Sequence, residues 1–216
     1  MALLHQATLT PSKRELMDGW LPSRSWFPGT ADLEPIGAYR FDDPAGEVGI
    51  EGFLLGGRDG TVLHLPLTYR GAPLDGAEEF LVGTTEHSVL GKRWVYDACG
   101  DPVFARALSA AVLSGDHEAD VFIEIDGEMQ QREPTVTVRG TGTGTGTGTS
   151  TGTDSPETAD VAEVVVRDVG STTVITAGPF ELVVVRVVGS DVSADETLVA
   201  GWPGVDAAVL AGVRRG

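Results

Sequence analysis

The stretch VGIEGFLLGGRDGTVLHLPLTY, residues 48–69, decides the fold that the sequence predicts. It contains two apolar runs, residues 48–55 and 61–69, rich in Val, Leu, Phe and Tyr. Between them lies GGRDG, residues 56–60, whose glycines and aspartate favour a chain reversal. Apolar runs joined by such a short Gly-containing turn are typical of a β-hairpin. We therefore predict an antiparallel hairpin here.

A helix is predicted on each side of this hairpin. Before it, Ser12 is placed to cap a short helix over residues 13–20, and Glu15 completes a capping box. After it, the pair DP at residues 101–102 supplies an N-cap and a first-turn proline for a helix over residues 103–113. Strands are predicted where apolar residues cluster or alternate: residues 3–9, 36–41, 89–96, 121–125 with Val136 and Val138, 161–169, 172–177 and 180–188.

Two further hairpins are predicted toward the C-terminus. One joins residues 172–177 to 180–188 through Gly178-Pro179. The other joins residues 197–202 to 207–214, although the alanine-rich second segment also suits a helix and both interpretations stay open. Mostly antiparallel strands with two helices make an α+β fold.

The sharpest boundary in the chain is GTGTGTGTGTSTGT, residues 140–153, followed by the acidic stretch DSPETAD. Glycine at every second position removes the side chains that would pack a buried face, so residues 140–160 are predicted as a flexible linker or surface loop. A strand with threonine on one face is the alternative. The linker would separate a domain of residues 1–139 from a β-rich segment, residues 161–216, which either packs on the first part or forms a small lobe.

Composition excludes several classes of partner. The chain has 216 residues, with 32 Asp and Glu against 15 Lys and Arg, and a net charge of −17. Such an acidic surface repels phosphate backbones and anionic lipids, so we expect no nucleic-acid or membrane partner. A single cysteine excludes an internal disulfide and a thiolate metal site. No apolar run has the length of a signal core or a membrane span, which predicts a cytoplasmic protein.

Motifs for catalysis are not found in the sequence. There is no GxxxxGK[ST] and no GxSxG elbow between a strand and a helix, since GxSxG occurs as GTSTG (148–152) inside the Gly-Thr tract. The four histidines show no metal-ligand spacing. Cys99 lies beside Asp97 and Asp101, whose carboxylates would raise the pKa of its thiol and make it a poor nucleophile. These two aspartates are interpreted as turn and N-cap groups. We therefore expect no catalytic residue, no cofactor and no metal.

Three segments carry a family resemblance: FDDPAGEVGIEGFLL (41–55), HLPLTYRGAPLDGA (64–77) and EHSVLGKRWVYDACGDP (86–102). With the opening HQATLTPSKRELMDGWLPSRSWFPG, they resemble the N-terminal cap of actinobacterial maltokinases. The resemblance is closer to stand-alone cap-like proteins of actinobacteria, some labelled 1,4-α-glucan branching protein. It covers about residues 1–115 and implies a curved antiparallel sheet packed on one or two helices, here followed by additional β-hairpins.

The resemblance does not extend to an enzyme. A maltokinase carries a kinase-like fold after its cap, with a phosphate-pairing lysine, a catalytic aspartate and a metal-binding aspartate. Residues 170–188 loosely resemble a kinase hairpin, but Arg186 is the only cation there, and few residues follow for a catalytic lobe. A branching-enzyme barrel alone needs on the order of 250 residues. The sequence therefore predicts neither activity.

Three hypotheses of function follow. The first is a non-catalytic binding or regulatory module of maltose, trehalose and α-glucan metabolism, which docks on an enzyme of that metabolism or associates with itself. Its candidate interaction residues are Trp26, Tyr69, Arg93 and Trp94, which lie in the family-like segments. The second is a carbohydrate-binding protein that stacks α-glucan on tryptophan, with Trp20, Trp26, Trp94 or Trp202 as the platform. The third is a small enzyme of unrecognised type that uses Asp97 or His87.

Overall fold

The computed structural model describes residues 2–4, 7–125, 128–144 and 163–215. They form three β-sheets and two α-helices, which confirms the predicted α+β class. The helices are α1 (Lys13–Trp20) and α2 (Pro102–Ser114). The strands are β1 (Ala2–Leu4), β2 (Leu9–Thr10), β3 (Glu34–Phe41), β4 (Gly49–Gly56), β5 (Val62–Arg70), β6 (Leu81–His87), β7 (Gly91–Asp97), β8 (Val121–Ile125), β9 (Glu128–Arg132), β10 (Thr137–Gly140), β11 (Val165–Val169), β12 (Thr172–Ala177), β13 (Phe180–Val185), β14 (Glu196–Trp202) and β15 (Val205–Arg215).

The predicted central hairpin is present as β4 and β5. These strands pair antiparallel, with Phe53 opposite Leu65, inside a six-stranded sheet of order β2-β6-β7-β5-β4-β3. Side chains alternate across the sheet, so Leu65 and Leu67 face one side while Ile50 and Leu54 face the other. Both sides are buried, which explains why residues 48–69 are apolar almost throughout.

Helix α1 covers the first of these two faces. The predicted capping box is confirmed: the Ser12 hydroxyl accepts from the N–H of Glu15, and the Glu15 carboxylate accepts from the N–H of Ser12 at 2.8 Å. The buried side chains of α1 are Met17 and Trp20, which join a cluster with Leu65 and its neighbours. The cap therefore sets where the helix starts, and burial sets which side of it faces the sheet.

Helix α2 lies between the other face and a second six-stranded sheet, of order β10-β14-β15-β13-β12-β11. The carboxylate of Asp101 caps its start, and Gly115 ends it in the left-handed conformation with φ of 70°. Phe104, Leu108 and Val112 are buried in one continuous cluster with residues of both sheets. This cluster is the larger of the two hydrophobic cores.

The second large sheet contains strands from both sides of the Gly-Thr tract. Strand β10 precedes the tract and pairs with β14, placing Val138 opposite Ala200. The two hairpins predicted toward the C-terminus are confirmed as β12 with β13 and β14 with β15. The helix alternative for β15 is not adopted, because this strand pairs on both sides and buries Leu210, Ala211 and Val213.

The linker predicted for residues 140–160 differs from the structure at its beginning. Gly140 is the last residue of β10, and the N–H of Gly142 donates to the carbonyl oxygen of Val112 at 2.9 Å. A Cβ at Gly140 would lie 2.1 Å from the carbonyl oxygen of Ala111. Glycine here permits close backbone approach to α2, which composition alone did not suggest. Residues 145–160 lie outside the described part of the chain.

Two strands were not predicted. Strand β6 has the sequence LVGTTEH and β9 the sequence EMQQR, and neither shows the apolar alternation that identifies a half-buried strand. Strand β9 closes a small sheet of order β1-β8-β9. Among the described residues, no helix is long and apolar enough to cross a membrane.

Candidate interaction groove on the first sheet

A groove of about 810 Å³ lies on the α1 side of the first sheet. It is formed by the start of α1, the β3–β4 turn, the ends of β4 and β5 and the β6–β7 turn. We call it the Lys13 groove. Its lining residues are Ala7, Leu9, Lys13, Arg40, Phe41, Asp42, Asp43, Pro44, Gly46, Glu47, Val48, Gly49, Glu51, Tyr69, His87, Leu90 and Arg93.

A buried carboxylate with two cations occupies the floor of the Lys13 groove. Glu51 is 6% exposed, and its Oε2 accepts from the ammonium of Lys13 at 2.5 Å. The guanidinium of Arg40 lies 3.4 Å from Oε1 of the same side chain. Burying an unpaired carboxylate is costly, so these cations stabilise Glu51 inside the strand. These three charges are net positive, but the whole lining holds four carboxylates against three Lys and Arg cations.

The same ammonium group lies over two aromatic rings. Lys13 Nζ is 5.0 Å from the ring centroid of Tyr69 and 5.5 Å from that of Phe53. Cation–π attraction adds to the ion pair with Glu51. Burial raises the pKa of the Tyr69 phenol well above its usual value, and the charge of Glu51 acts in the same direction. Tyr69 therefore acts here as a neutral aromatic surface.

The four predicted interaction residues lie in three different places. Tyr69 and Arg93 both line the Lys13 groove, where Arg93 Nη2 donates to the carbonyl oxygen of Leu90 at 2.9 Å. Trp94 follows Arg93 on the same strand, so its side chain points to the opposite face of the sheet. It is partly exposed, and Lys92 Nζ lies 4.9 Å from its ring centroid.

The prediction that Trp26 contacts a partner or sugar is corrected by its burial. Trp26 is 4% exposed and packs edge-on against Trp20, with ring centroids 5.7 Å apart. Its ring also lies 4.8 Å from the guanidinium carbon of Arg186. Because both tryptophans are buried in the cluster under α1, neither presents a face to a ligand. Sequence spacing did not reveal this burial, since the ring is covered partly by Arg186, which is distant in the sequence.

The walls of the groove are held by turn hydrogen bonds. In the β3–β4 turn, the Asp43 carboxylate accepts from the backbone N–H groups of Glu47 and Val48 at 3.1 and 3.0 Å. In the β6–β7 turn, Nδ1 of His87 accepts a hydrogen bond from the N–H of Leu90 at 3.1 Å. Leu90 is 48% exposed at the rim.

Sequence reasoning did not select Lys13, Arg40, Glu51 and Leu90 of this groove, and it considered His87 only for catalysis. One signal was available, because Glu51 is the only ionisable residue in the otherwise apolar run 48–55. A charge inside such a run indicates a partner brought by the fold. The partners are Lys13 of α1 and Arg40 of β3. The sequence does not reveal that these two elements lie beside Glu51 of β4.

A second buried charge joins the first sheet to the second large sheet. Arg186 has no exposed surface, and its Nη2 donates to both carboxylate oxygens of Asp97, at 2.6 and 2.8 Å. The Arg186 Nε donates to the hydroxyl of Thr173 at 2.8 Å. Cys99 Sγ lies 3.0 Å from Nη2. Burial raises the pKa of the Cys99 thiol well above its usual value, and Arg186 offsets this only in part.

These contacts assign structural roles to the residues considered for catalysis. Asp97 is 5% exposed and bound to Arg186, while Asp101 caps α2 and holds Arg70 through two contacts of 2.7 Å. The predicted turn and N-cap roles of both aspartates are confirmed, and Asp97 has the added partner Arg186. Among the described residues, no group of three or more His, Cys, Asp or Glu side chains is arranged to hold a metal ion.

Comparison with known protein families identifies the segment that contains most of the groove. Residues 20–101 match the maltokinase N-terminal cap domain. No curated protein matches the sequence. The cap segment, as we call residues 20–101, runs from the end of α1 through β3–β7 to the N-cap of α2. It includes Arg40, Glu51, Tyr69 and Arg93, whereas Lys13 lies before it. The resemblance to a maltokinase cap is thus confirmed over this segment.

Proposed function

We propose that this chain is a non-catalytic binding module of maltose, trehalose and α-glucan metabolism, which docks on an enzyme of that metabolism through the Lys13 groove. The observation that carries the proposal is the match of the cap segment to a maltokinase cap domain. The groove lies largely within this segment, and Tyr69 and Arg93, selected from the sequence, are both in its lining.

The chemistry of the groove supports docking on a protein. It combines a broad concave surface, an aromatic ring, three long cationic side chains and an exposed leucine on the rim. Aromatic residues and arginine are enriched where protein interfaces gain most of their binding energy. Lys13 and Arg40 are already ordered by Glu51, so binding would cost little further side-chain entropy.

A non-catalytic role is supported by the surroundings of Arg186. The kinase-like reading of residues 170–188 would require a cation able to reach nucleotide phosphates. Arg186 is the only cation in that hairpin, and it is fully buried against Asp97 and Trp26. The guanidinium that a phosphate would need is thus paired with Asp97 inside the core.

The test is an affinity capture from native lysate of the source organism, at low and moderate salt, with mass spectrometry of the bound proteins. Leu90→Asp places a charge on the rim of the groove. Val89→Asp is the matched control, because Val89 is 57% exposed on the same turn and does not line the groove.

Saturable capture of an enzyme of maltose, trehalose or α-glucan metabolism is expected with the wild type and Val89→Asp. We expect Leu90→Asp to reduce that capture about tenfold, because it replaces an apolar contact with a charge that binding would have to desolvate. Equal capture by all three proteins would exclude the groove as the docking surface. Capture of no such enzyme would contradict the proposed function itself.

A second candidate function is binding of α-glucan through tryptophan. Trp94 and Trp202 are the tryptophans that remain partly exposed, and sugar rings pack on exposed indole faces. Maltooligosaccharide should then quench or blue-shift the tryptophan fluorescence, and Trp94→Phe or Trp202→Phe should remove that response. No change in fluorescence at millimolar sugar would exclude this candidate.

A further inference from the structure

A second groove of about 580 Å³ runs beside helix α2, on a different part of the surface from the rim formed by Leu90. Its three sides are α2, the β3–β4 turn and the segment that follows α2, residues 116–120. We call it the α2 groove. Its lining residues are Phe41, Asp42, Asp43, Pro44, Val103, Arg106, Ala107, Ala110, Ala111, Asp116, His117, Glu118, Ala119 and Asp120.

The floor of the α2 groove is apolar and shallow. Val103, Ala107 and Ala110 lie on one side of α2 and are only partly buried, although the opposite side of the helix is in the core. Small side chains on this side leave room for the side chains of a binding partner. A helix of 13 residues is about 20 Å long, which gives the floor the length of a short helical segment.

The walls of the α2 groove are strongly acidic. Five lining residues are carboxylates, against one guanidinium, that of Arg106; they are Asp42, Asp43, Asp116, Glu118 and Asp120. Several are held by neutral donors: Glu118 Oε2 accepts from the N–H of Val138 at 2.8 Å, and Asp120 Oδ1 accepts from the amide of Gln131 at 2.8 Å. Such hydrogen bonds orient a carboxylate without removing its charge.

We propose that the α2 groove binds a lysine- or arginine-rich amphipathic helix of a partner protein. An apolar floor between acidic walls is complementary to a helix with one apolar face flanked by cations. The charge of the groove also selects against a second copy of this chain, because two molecules of net charge −17 repel each other. The two grooves share Phe41, Asp42, Asp43 and Pro44 of the β3–β4 turn. The α2 floor and the carboxylates of residues 116–120, which carry this inference, lie outside the Lys13 groove.

The probe is a fluorescein-labelled synthetic peptide of about 14 residues, with Leu at helical i, i+3, i+4 and i+7 positions and Lys elsewhere. Fluorescence anisotropy measures its binding to the full chain between about 50 and 300 mM salt. A peptide with Glu in place of every Lys is the control for apolar attraction alone. We expect saturable binding of the Lys peptide that weakens with salt, and none of the Glu peptide.

Two double variants distinguish peptide binding in the groove from attraction by the general negative charge of the protein. Asp116→Asn with Asp120→Asn removes two exposed charges that line the α2 groove and not the Lys13 groove, whereas Glu78→Gln with Glu79→Gln removes two exposed charges outside both. We expect the first pair to weaken peptide binding about tenfold and the second pair less than twofold. Ala110→Arg, which puts a cation into the apolar floor, should abolish binding in a protein whose circular dichroism is unchanged.

Three outcomes would overturn the proposal. They are equal weakening by both double variants, equal binding of the Glu peptide, and no saturable binding at low salt. Sedimentation that shows a dimer lost on Ala110→Arg would assign the groove to a second copy instead. Leu90→Asp should leave peptide binding unchanged, so failure of the α2 groove and failure of the Lys13 groove are distinguishable.

Discussion

Arg186 and Asp97 illustrate how single residues constrain this fold. A guanidinium without exposed surface is stable only with a counter-charge and hydrogen-bond acceptors, and here one carboxylate and one hydroxyl supply both. The pair also joins β7 of the cap segment to the residue after β13. Removing one member leaves the other charged and buried, which is the costly case.

Asp97→Asn is expected to lower the free energy of unfolding by about 3–5 kcal/mol, because it leaves Arg186 without its counter-charge. Denaturation by urea measures the change. The matched control is Asp18→Asn, which breaks an exposed ion pair with Arg14 and should cost less than about 1 kcal/mol. Replacing Arg186 by Met as well should recover part of the loss. If the losses of the two single variants simply add in the double variant, the pairing is contradicted.

His64 predicts a dependence of stability on pH. Its ring is buried between the Tyr39 hydroxyl at 2.9 Å and the carbonyl oxygen of Val185 at 3.0 Å, and burial lowers its pKa to about 3. The unfolded chain binds a proton near pH 6.5 and the folded chain does not. Stability is therefore complete above pH 6.5 and falls as the pH falls from there toward 3, by about 2 kcal/mol at pH 5.

The measurement compares wild type with His64→Gln in urea denaturation at pH 7.5 and pH 5. Carboxylates titrate in both proteins, so the difference between them isolates the histidine. The wild type should lose more stability on acidification than the variant does. An identical loss in both proteins would mean that the folded chain protonates His64 as readily as the unfolded chain.

At the scale of elements, the contact between the Gly-Thr tract and α2 needs the absence of side chains. The backbone N–H groups of Gly140 and Gly142 donate to the carbonyl oxygens of Asp116 and Val112, each at 2.9 Å. The bond to Val112 satisfies a carbonyl in the last turn of α2 that a helix leaves unpaired, and the bond to Asp116 holds the segment that follows the helix. A tract whose composition indicates a linker thus begins as part of the packed structure.

Gly140→Ala is expected to destabilise the protein by about 1–3 kcal/mol, because the added Cβ would meet backbone atoms that cannot move aside. Gly19→Ala is the matched control, since Gly19 lies in α1 with open space around it. This second change should stabilise by about 0.5–1 kcal/mol through helix propensity. Thermal unfolding compares the two variants, and an unchanged melting temperature for Gly140→Ala would contradict the close approach.

At the scale of the whole molecule, one hydrophobic cluster spans the cap segment and the residues beyond the tract. Leu54 of β4, Phe104 of α2 and Leu182 of β13 all belong to it and are at most 1% exposed. The sequence left open whether residues 161–216 pack on the first part or form a small lobe. In the structure, residues 163–215 share their core with the first sheet, while the division into domains stays a prediction.

A shared core predicts cooperative unfolding. Leu182→Ala should cost about 2–5 kcal/mol, as large-to-small changes at buried leucines do. In a Trp202→Phe background, fluorescence reports only on the tryptophans of the first 101 residues, while far-UV circular dichroism reports on all the sheets. Both signals should shift to lower urea together. A fluorescence transition that does not move would show that the two parts unfold separately.

The sequence by itself determined the features that depend on neighbours along the chain. The start of α1 follows from Ser12 and Glu15, and the hairpins follow from apolar runs on either side of short turns, because their hydrogen bonds close over few residues. The resemblance to a maltokinase cap also depended on contiguous segments. These local signals sufficed for the α+β class.

Only the tertiary structure decided the contacts between distant segments. It buried Trp26, paired Arg186 with Asp97, gave Glu51 its two cations and brought strands from both sides of the Gly-Thr tract into one sheet. Tyr69 and Arg93 were selected from the sequence, but the groove around them was not. The physical reason is that burial and charge pairing depend on which surfaces meet in space, and periodicity along a strand specifies a face without specifying what covers it.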